Sequence, residues 1–530
     1  MRTEQTLLSL PLELLCHILG ELDAYDLVSI RMICKVLKEA IDGSEALQYI
    51  LDLRYYQTIA VDSTEKELPV AARRTQLKQR EAAWHKLQYR SRCDLPLPAM
   101  GPIYEFVDGI YGNYVQGKIH FVQLPSIEQP KAGSSWTHLA FEWNLVDITF
   151  SPPQDLLAIV AIAADGQEHP YDIHLRTLSS NEPHPLAAVT VLQALDRDHV
   201  APVISEPGGP VKIQVVGDYI GLLCRDIMVE GDSVGAYLQV WDWKSKNGYQ
   251  FILQFQDGAD DFSFLSDDTF LLLTVDGGIE LHSFQDLRQP PQVTGRYALP
   301  GLMKDWVYSY AFMSGNPTPG STFPFFDGAP YRPPQIFHPR MEDQLLVFFV
   351  AVSRESNEAD THSFVFFIHR STLFNLQKIV HQHNPDLDVT KAPVPWPAWG
   401  PNYTRWFTQR ETTDWQHSIY GHRTIETIND DPSYLSQEPR KLRIRDFNPH
   451  LARGHRSESG EGDWGRTIVS APTTTLRRPF VEPLGSGLPY RETISKEKFD
   501  VTEAMMDGCR ILLLRRDATR IRDSVEVLMF

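Results

Sequence analysis

Cysteine is scarce in this 530-residue chain. The five present, Cys16, Cys34, Cys93, Cys224 and Cys509, show no paired spacing. That excludes a disulfide framework and a zinc knuckle, and it fits a reducing compartment, cytoplasmic or nuclear. Long apolar runs are missing too: the longest, Leu156 to Ala164 and Leu345 to Val352, are about half of what a bilayer crossing needs. Pro11 and Glu13 interrupt the N-terminal apolar stretch, which lacks a small-residue cleavage pattern, so it reads as mature structure rather than a signal peptide. No membrane association is expected. Positive charge is in short supply, with a formal net charge of −18. Residues 440–530 hold seventeen Lys and Arg against thirteen Asp and Glu, which leaves −22 for the remainder. Nonspecific nucleic-acid binding draws on the opposite balance and is not expected. No Gly-rich phosphate loop, nucleophile elbow or zinc-protease helix occurs, and Gly208-Gly209 sits beside prolines rather than opening a helix. The chain thus offers no positive sign of enzymatic activity and implies no cofactor.

What is present begins at the N-terminus. Pro11 suits a first helical turn, where its missing N–H costs nothing, and it pushes Leu10 into an extended conformation. Leu14, Leu15, Ile18, Leu19 and Leu22 then recur at helical spacing, and Asp23 with Asp26 suits the start of a second helix. The stripe resumes with Leu27, Ile30, Ile33, Cys34, Leu37 and Ile41, with Lys35, Lys38 and Glu39 on the polar side. Two or three short helices in roughly thirty residues fall below the size, roughly 40 residues, at which a core supports itself. This apolar excess needs another surface, either the rest of the chain or a partner.

Residues 10–41 resemble the F-box, whose usual form runs leucine-proline, an acidic residue, leucines, isoleucine-leucine, leucine-aspartate, leucine, valine-cysteine and an aromatic. Leu10, Pro11, Glu13, Leu14, Ile18, Leu19, Leu22, Asp23, Asp26, Leu27, Ile33 and Cys34 occupy the corresponding places. The departure is Leu37, where the family often has Trp or Phe, which implies a smaller anchor and a somewhat weaker hold on an adaptor. Further motifs are similar to a large set of fungal F-box proteins: Leu47-Gln48-Tyr49, Arg73-Arg74, Gln79-Arg80-Glu81 and Trp84, then Trp399-Gly400-Pro401, Thr404-Arg405-Trp406-Phe407, Asp446-Phe447-Asn448-Pro449 and Leu488-Pro489-Tyr490-Arg491. They extend the likeness over most of the chain without naming a target.

Past Pro69, Ala71 to Tyr89 reads as a linker helix with Leu77, Trp84 and Leu87 on one side and Arg73, Arg74, Lys78, Arg80 and Lys86 toward solvent. From about Gly101 the pattern changes to short β-branched and aromatic runs broken by Gly, Pro and Asp, for example Val146 to Phe150, Tyr219 to Cys224, Tyr237 to Trp243 and Phe364 to His369. Phe262 to Leu265, Thr269 to Val275 and Gly278 to Phe284 form a meander whose Asp276-Gly277 is a strong hairpin signal. More than four hundred residues of short strands would make an oversized sandwich, so radial repetition is favoured. The expectation is a β-propeller of roughly six to eight blades, with the final strand completing the first blade. Trp241-Asp242 resembles the dipeptide of WD repeats, although the Gly-His partner and a strict period are missing. Two stacked β domains are the alternative. Segments Ser314 to Pro334 and Arg453 to Gly462 read as loops. The fold class is therefore mainly β with an α-helical N-terminal module, divided into an F-box module (8–45), a helical linker (46–98) and a propeller-like domain (99–530).

Other clusters have plainer readings. His381-Gln382-His383 with Asp386 and Asp388 groups metal-type ligands, but in an Asn-Pro turn without a second ligand set, so no metal is expected. Asp165 to His169 lacks the alternating oxygen ligands of a calcium loop. Arg440, Lys441, Arg443 and Arg445 read as a solvated face, and Trp396, Trp399, Trp406 and Trp415 as core.

The resemblance implies a substrate-recognition subunit of an SCF-type (Skp, cullin, F-box) ubiquitin ligase, itself without catalytic residues. Leu10, Pro11, Leu14, Ile18, Leu19, Leu22, Leu27, Ile30, Ile33, Cys34 and Leu37 would dock on the Skp-type adaptor and through it on a cullin scaffold, while the propeller holds an unknown protein substrate. The alternatives are an F-box scaffold outside the cullin complex and a β-propeller enzyme with a helical cap.

Overall fold

The structure is a computed structural model. It describes residues 7–61, 68–97, 101–127, 134–195, 201–202, 211–229, 233–248, 250–320, 336–383, 387–409, 413–429, 438–452, 466–474, 478–515 and 524–530. Four short helices come first: α1 (Leu12–Gly20), α2 (Ala24–Arg31), α3 (Lys35–Gly43) and α4 (Glu45–Tyr55). A short strand, Thr58–Ala60, and the long helix α5 (Val70–Lys86) follow. The Asp23 side chain caps α2 as its spacing suggested, accepting from the backbone N–H of Tyr25 at 2.8 Å and of Asp26 at 2.9 Å.

Among the described residues, seven antiparallel sheets of four or five strands follow, beside two short two-stranded pairings. Counted from the axis outward, their first strands are Ile103–Val107, Asn144–Ser151, Val211–Val216, Ala259–Phe264, Trp306–Ser314, Ile419–Tyr420 and Glu503–Met506. Each strand alternates its side chains between two faces, and each face meets a neighbouring sheet, so both periods must be apolar. Leu156–Ile162 shows the result. Ala158 and Val160 pack with Ile213, Leu222 and Trp241 of the third sheet, whereas Leu157 and Ile159 pack with Ile119 and Phe121 of the first. Equivalent clusters fill every other gap, and Phe106, Tyr111, Met505, Leu512 and Val527 join the seventh sheet to the first. The ring is therefore closed: a seven-bladed propeller architecture, with the Asp276-Gly277 turn where the sequence placed it and Gly277 at φ +81°.

Closure differs from the expectation. The final strand, Ser524–Met529, does not complete the first sheet; instead Ser91–Pro96 pairs with it as the outer strand of the seventh. A strand of the ring thus lies within the segment read as helical linker. The seventh sheet is thus built from a strand that precedes the first sheet and strands that follow the sixth, which closes the ring through backbone hydrogen bonds. The helix α6 (Arg370–His383) is inserted between the third and fourth strands of the fifth sheet. Among the described residues, no helix is long and apolar enough to cross a membrane.

Candidate functional site

The N-terminal helices build a core of their own from Leu15, Leu19, Leu27, Leu37, Ala40, Ile41 and Leu47. Helix α1 shows how the sequence does this. Leu15 and Leu19 point inward, while Leu14 and Ile18, one position earlier on each turn, stay 52% and 43% exposed. What reads in sequence as one wide apolar stripe is two faces, one turned into the module and one left bare.

Of the eleven residues expected to dock on a partner, Pro11, Leu14, Ile18 and Ile33 are exposed, and Leu10, Leu22, Ile30 and Cys34 are half-buried. Leu19, Leu27 and Leu37 are only 1%, 0% and 6% exposed. These three hold the module together and do not face outward, which corrects the reading that put them on the docking surface. The small Leu37 therefore fills the internal core. Exposed apolar residues not singled out from the sequence are Leu7, Leu8, Leu12, Val28, Met32 and Val36, with Met32 78% exposed. Helical phase puts Leu12 with the buried Leu15 and Leu19, and it is exposed because it opens the helix; Met32 falls in the turn after α2, where periodicity carries no signal.

The module is fastened to the ring. Thr58–Ala60 pairs antiparallel with Phe337–Pro339, Asn448 donates to the Tyr55 carbonyl at 2.9 Å, and Arg54 pairs with Asp343. Helix α5 carries the main joint. The Trp84 ring stacks on Phe530 at 4.0 Å, and its indole N–H donates to the Gly508 carbonyl at 3.3 Å. Glu81, fully buried, accepts from Arg80 at 3.0 Å and from Arg423, and Arg423 also donates to Asp446 at 2.9 Å. Burial alone would raise the Glu81 carboxyl, yet Arg423 and Arg80 hold it down at about 2. His85 and His422, beside Asp446, are pushed down to about 4 mainly by burial and stay neutral at neutral pH. Lys78 is exposed as expected while also reaching Asp52 at 3.2 Å, whereas Arg74, expected to face solvent, is half-buried and ties α5 to α4 through Asp52 at 2.6 Å.

A family model for the F-box domain matches residues 7–48. The N-terminal module is an F-box domain. No curated protein matches the chain in sequence. Among solved structures, the WD40 domain of SCAP from fission yeast is similar at 7% identity and a TM-score of 0.31, covering 84% of this chain and 95% of that one. BamB from Moraxella catarrhalis is similar at 8% identity and a TM-score of 0.30, covering 83% and 98%. The chain thus joins an F-box domain to a closed ring defined by its own seven sheets.

The remaining clusters resolve as follows. Trp396, Trp399, Trp406 and Trp415 are all buried, as expected of core. Arg445 is not on a solvated face: it is 4% exposed and pairs with Glu426 at 2.7 Å, and Arg443 also pairs with Glu426. The sign alternation along that strand concealed acidic partners on its neighbours. His381 lies on α6, whereas Asp386 lies outside the described residues, as do 453–462 and 321–334 of the two expected loops. Among the described residues no group of three His, Cys, Asp or Glu could hold a metal.

Proposed function

We propose that this F-box protein is the substrate-recognition subunit of an SCF-type ubiquitin ligase. The observation that carries the reading is the bare apolar surface of the F-box: Leu14, Ile18, Met32 and Ile33 all stay exposed on a short module that already has a filled core, an apolar excess that a partner would cover. A Skp-type adaptor covers that surface, with an interface of the standard size, about 1,600 Å². The adaptor brings the cullin scaffold, in the cytoplasm or nucleus. The ring holds a protein substrate, and ubiquitin transfer gains from proximity, since the acceptor lysine and the charged conjugating enzyme are held in one assembly. The F-box protein contributes no catalytic group. The Glu81 and Trp84 joint supports this division of labour, because a substrate held on the ring is presented at a set distance only if the F-box is rigidly seated.

Co-purification tests the reading. The native chain is expected to recover both adaptor and cullin, and Leu10→Ala with Pro11→Ala to recover neither. Adaptor without cullin would favour a scaffold outside the ligase; a folded native chain that binds no adaptor would remove the reading altogether.

A further inference from the structure

The centre of the ring holds a cavity of about 380 Å³, within the range of small-ligand and side-chain pockets. Its walls are acidic. Glu105, Asp147, Asp261 and Asp414 line it, against Lys212 and Arg225. Lys212 is already committed, donating to Asp261 at 2.8 Å and to the Met313 carbonyl at 3.0 Å. Arg225 donates to the Asp260 carbonyl at 3.1 Å and lies over the Tyr310 ring. Glu105 accepts from the Phe106 backbone at 3.0 Å and weakly from Gln416 at 3.4 Å, with His417 at 3.6 Å, and Asp147 accepts from the backbone of Ile148 at 2.9 Å and of Ile213. Neither has a Lys or Arg within ion-pair distance among the described residues.

A second observation is independent of that cluster. Asp108 lines the same cavity farther along the wall, near Arg510, which pairs with Asp507 and not with it; Asp108 is 7% exposed and leaves both carboxylate oxygens without a hydrogen-bond partner. A buried, unpaired carboxylate is costly, and an incoming hydrogen-bonding cation would relieve it. The same burial keeps these carboxyls largely protonated while the channel is empty, so an entering cation must displace their protons. Burial, with Asp147 nearby, pushes Glu105 up to about 8, and burial pushes Asp147 and Asp108 up to about 7.

Several of the charged groups that line the cavity also lie toward one face of the ring. The first strands of the sheets run in the same sense, so their starts share one face of the ring. Asp147 and Lys212 lie in the first halves of Asn144–Ser151 and Val211–Val216, and Asp414 precedes Ile419–Tyr420. The F-box is seated at the other face, where first strands end: Gly508 follows Glu503–Met506, and Phe337–Pro339 follows Trp306–Ser314.

We infer that the channel takes the ammonium or guanidinium group of a basic side chain, supplied by the protein that the ring holds. This rests on the reading of the ring as the substrate-holding part. The same chemistry could come from a free polyamine, and the test separates the two. Ligand-observed NMR titration of the full chain uses blocked Gly-Lys-Gly and Gly-Arg-Gly peptides, the norleucine peptide of equal length, and spermidine. The Lys or Arg peptide is expected to bind saturably and the norleucine peptide not at all. Glu105→Gln with Asp147→Asn is expected to weaken binding roughly thirtyfold, as for loss of a buried charge pair, and to melt no lower than the native chain. Should that variant fail to fold, Asp414→Asn carries the same comparison with a smaller loss. Equal binding of the norleucine peptide, binding unchanged in a folded variant, or binding of spermidine alone would overturn the inference. Adaptor co-purification is expected to be unchanged in the channel variants, so a failure here is distinct from failure of the ligase reading.

Discussion

Replacing Glu81 by Gln tests how the F-box is locked to the ring. The carboxylate is fully buried on α5 and takes hydrogen bonds from Arg80 at 3.0 Å and from Arg423. Holding it at about 2 rather than its ordinary 4.5 corresponds to roughly 3 kcal/mol at neutral pH. That agrees with the cost of breaking a buried ion pair, about 3–5 kcal/mol. Because the folded value is depressed, this contribution is fully present above about pH 4.5 and is lost as pH falls toward 2. In Glu81→Gln, α5 is expected to open on the order of a hundredfold more often at neutral pH, read as faster amide exchange across Val70–Lys86 by mass spectrometry. Glu497→Gln is the control, since Glu497 pairs with Arg92 at 2.8 Å with both side chains more than two-fifths exposed, and it is expected to change stability by less than about 1 kcal/mol. Exchange in α5 within threefold of native, or an equal effect from Glu497→Gln, would refute the reasoning.

Three further outcomes follow from packing. Leu27→Ala, at a fully buried position, is expected to cost about 2–5 kcal/mol of F-box stability and to show as early proteolysis of the N-terminal helices. Trp84→Ala removes the stack on Phe530 and the bond to Gly508, and is expected to cost about 3–5 kcal/mol, seen as faster exchange in both α5 and Ser524–Met529. Gly221→Ala places a methyl 2.9 Å from the Phe262 ring of the next sheet, and is expected to lower the melting temperature through an overpacking cost of about 1–3 kcal/mol.

Much of the architecture was legible in the sequence because the signals are local. Asp23 caps α2 through its own side chain, Asp276-Gly277 turns a hairpin, and the run from Leu156 is apolar on both periods because it is sandwiched. What was hidden depends on distant partners. Ser91–Pro96 has no pattern of its own that shows it pairing with Ser524–Met529. Arg74 and Arg445 resemble solvated cations until Asp52 and Glu426 are brought to them. The F-box face was half legible: the spacing identified apolar helices, but only the packed module separates Leu19, Leu27 and Leu37 from Leu14, Ile18 and Ile33.

The affinity of the full chain for a Skp-type adaptor, measured by calorimetry for the native protein and for Leu14→Ala with Ile33→Ala, tests the central claim most directly. Both side chains are exposed and outside the module's core, so the variant is expected to keep its fold while losing at least about 3 kcal/mol of binding, more than a hundredfold. Tight native binding with that loss would place the adaptor on the bare surface of the F-box; an affinity unchanged by the double substitution would contradict it.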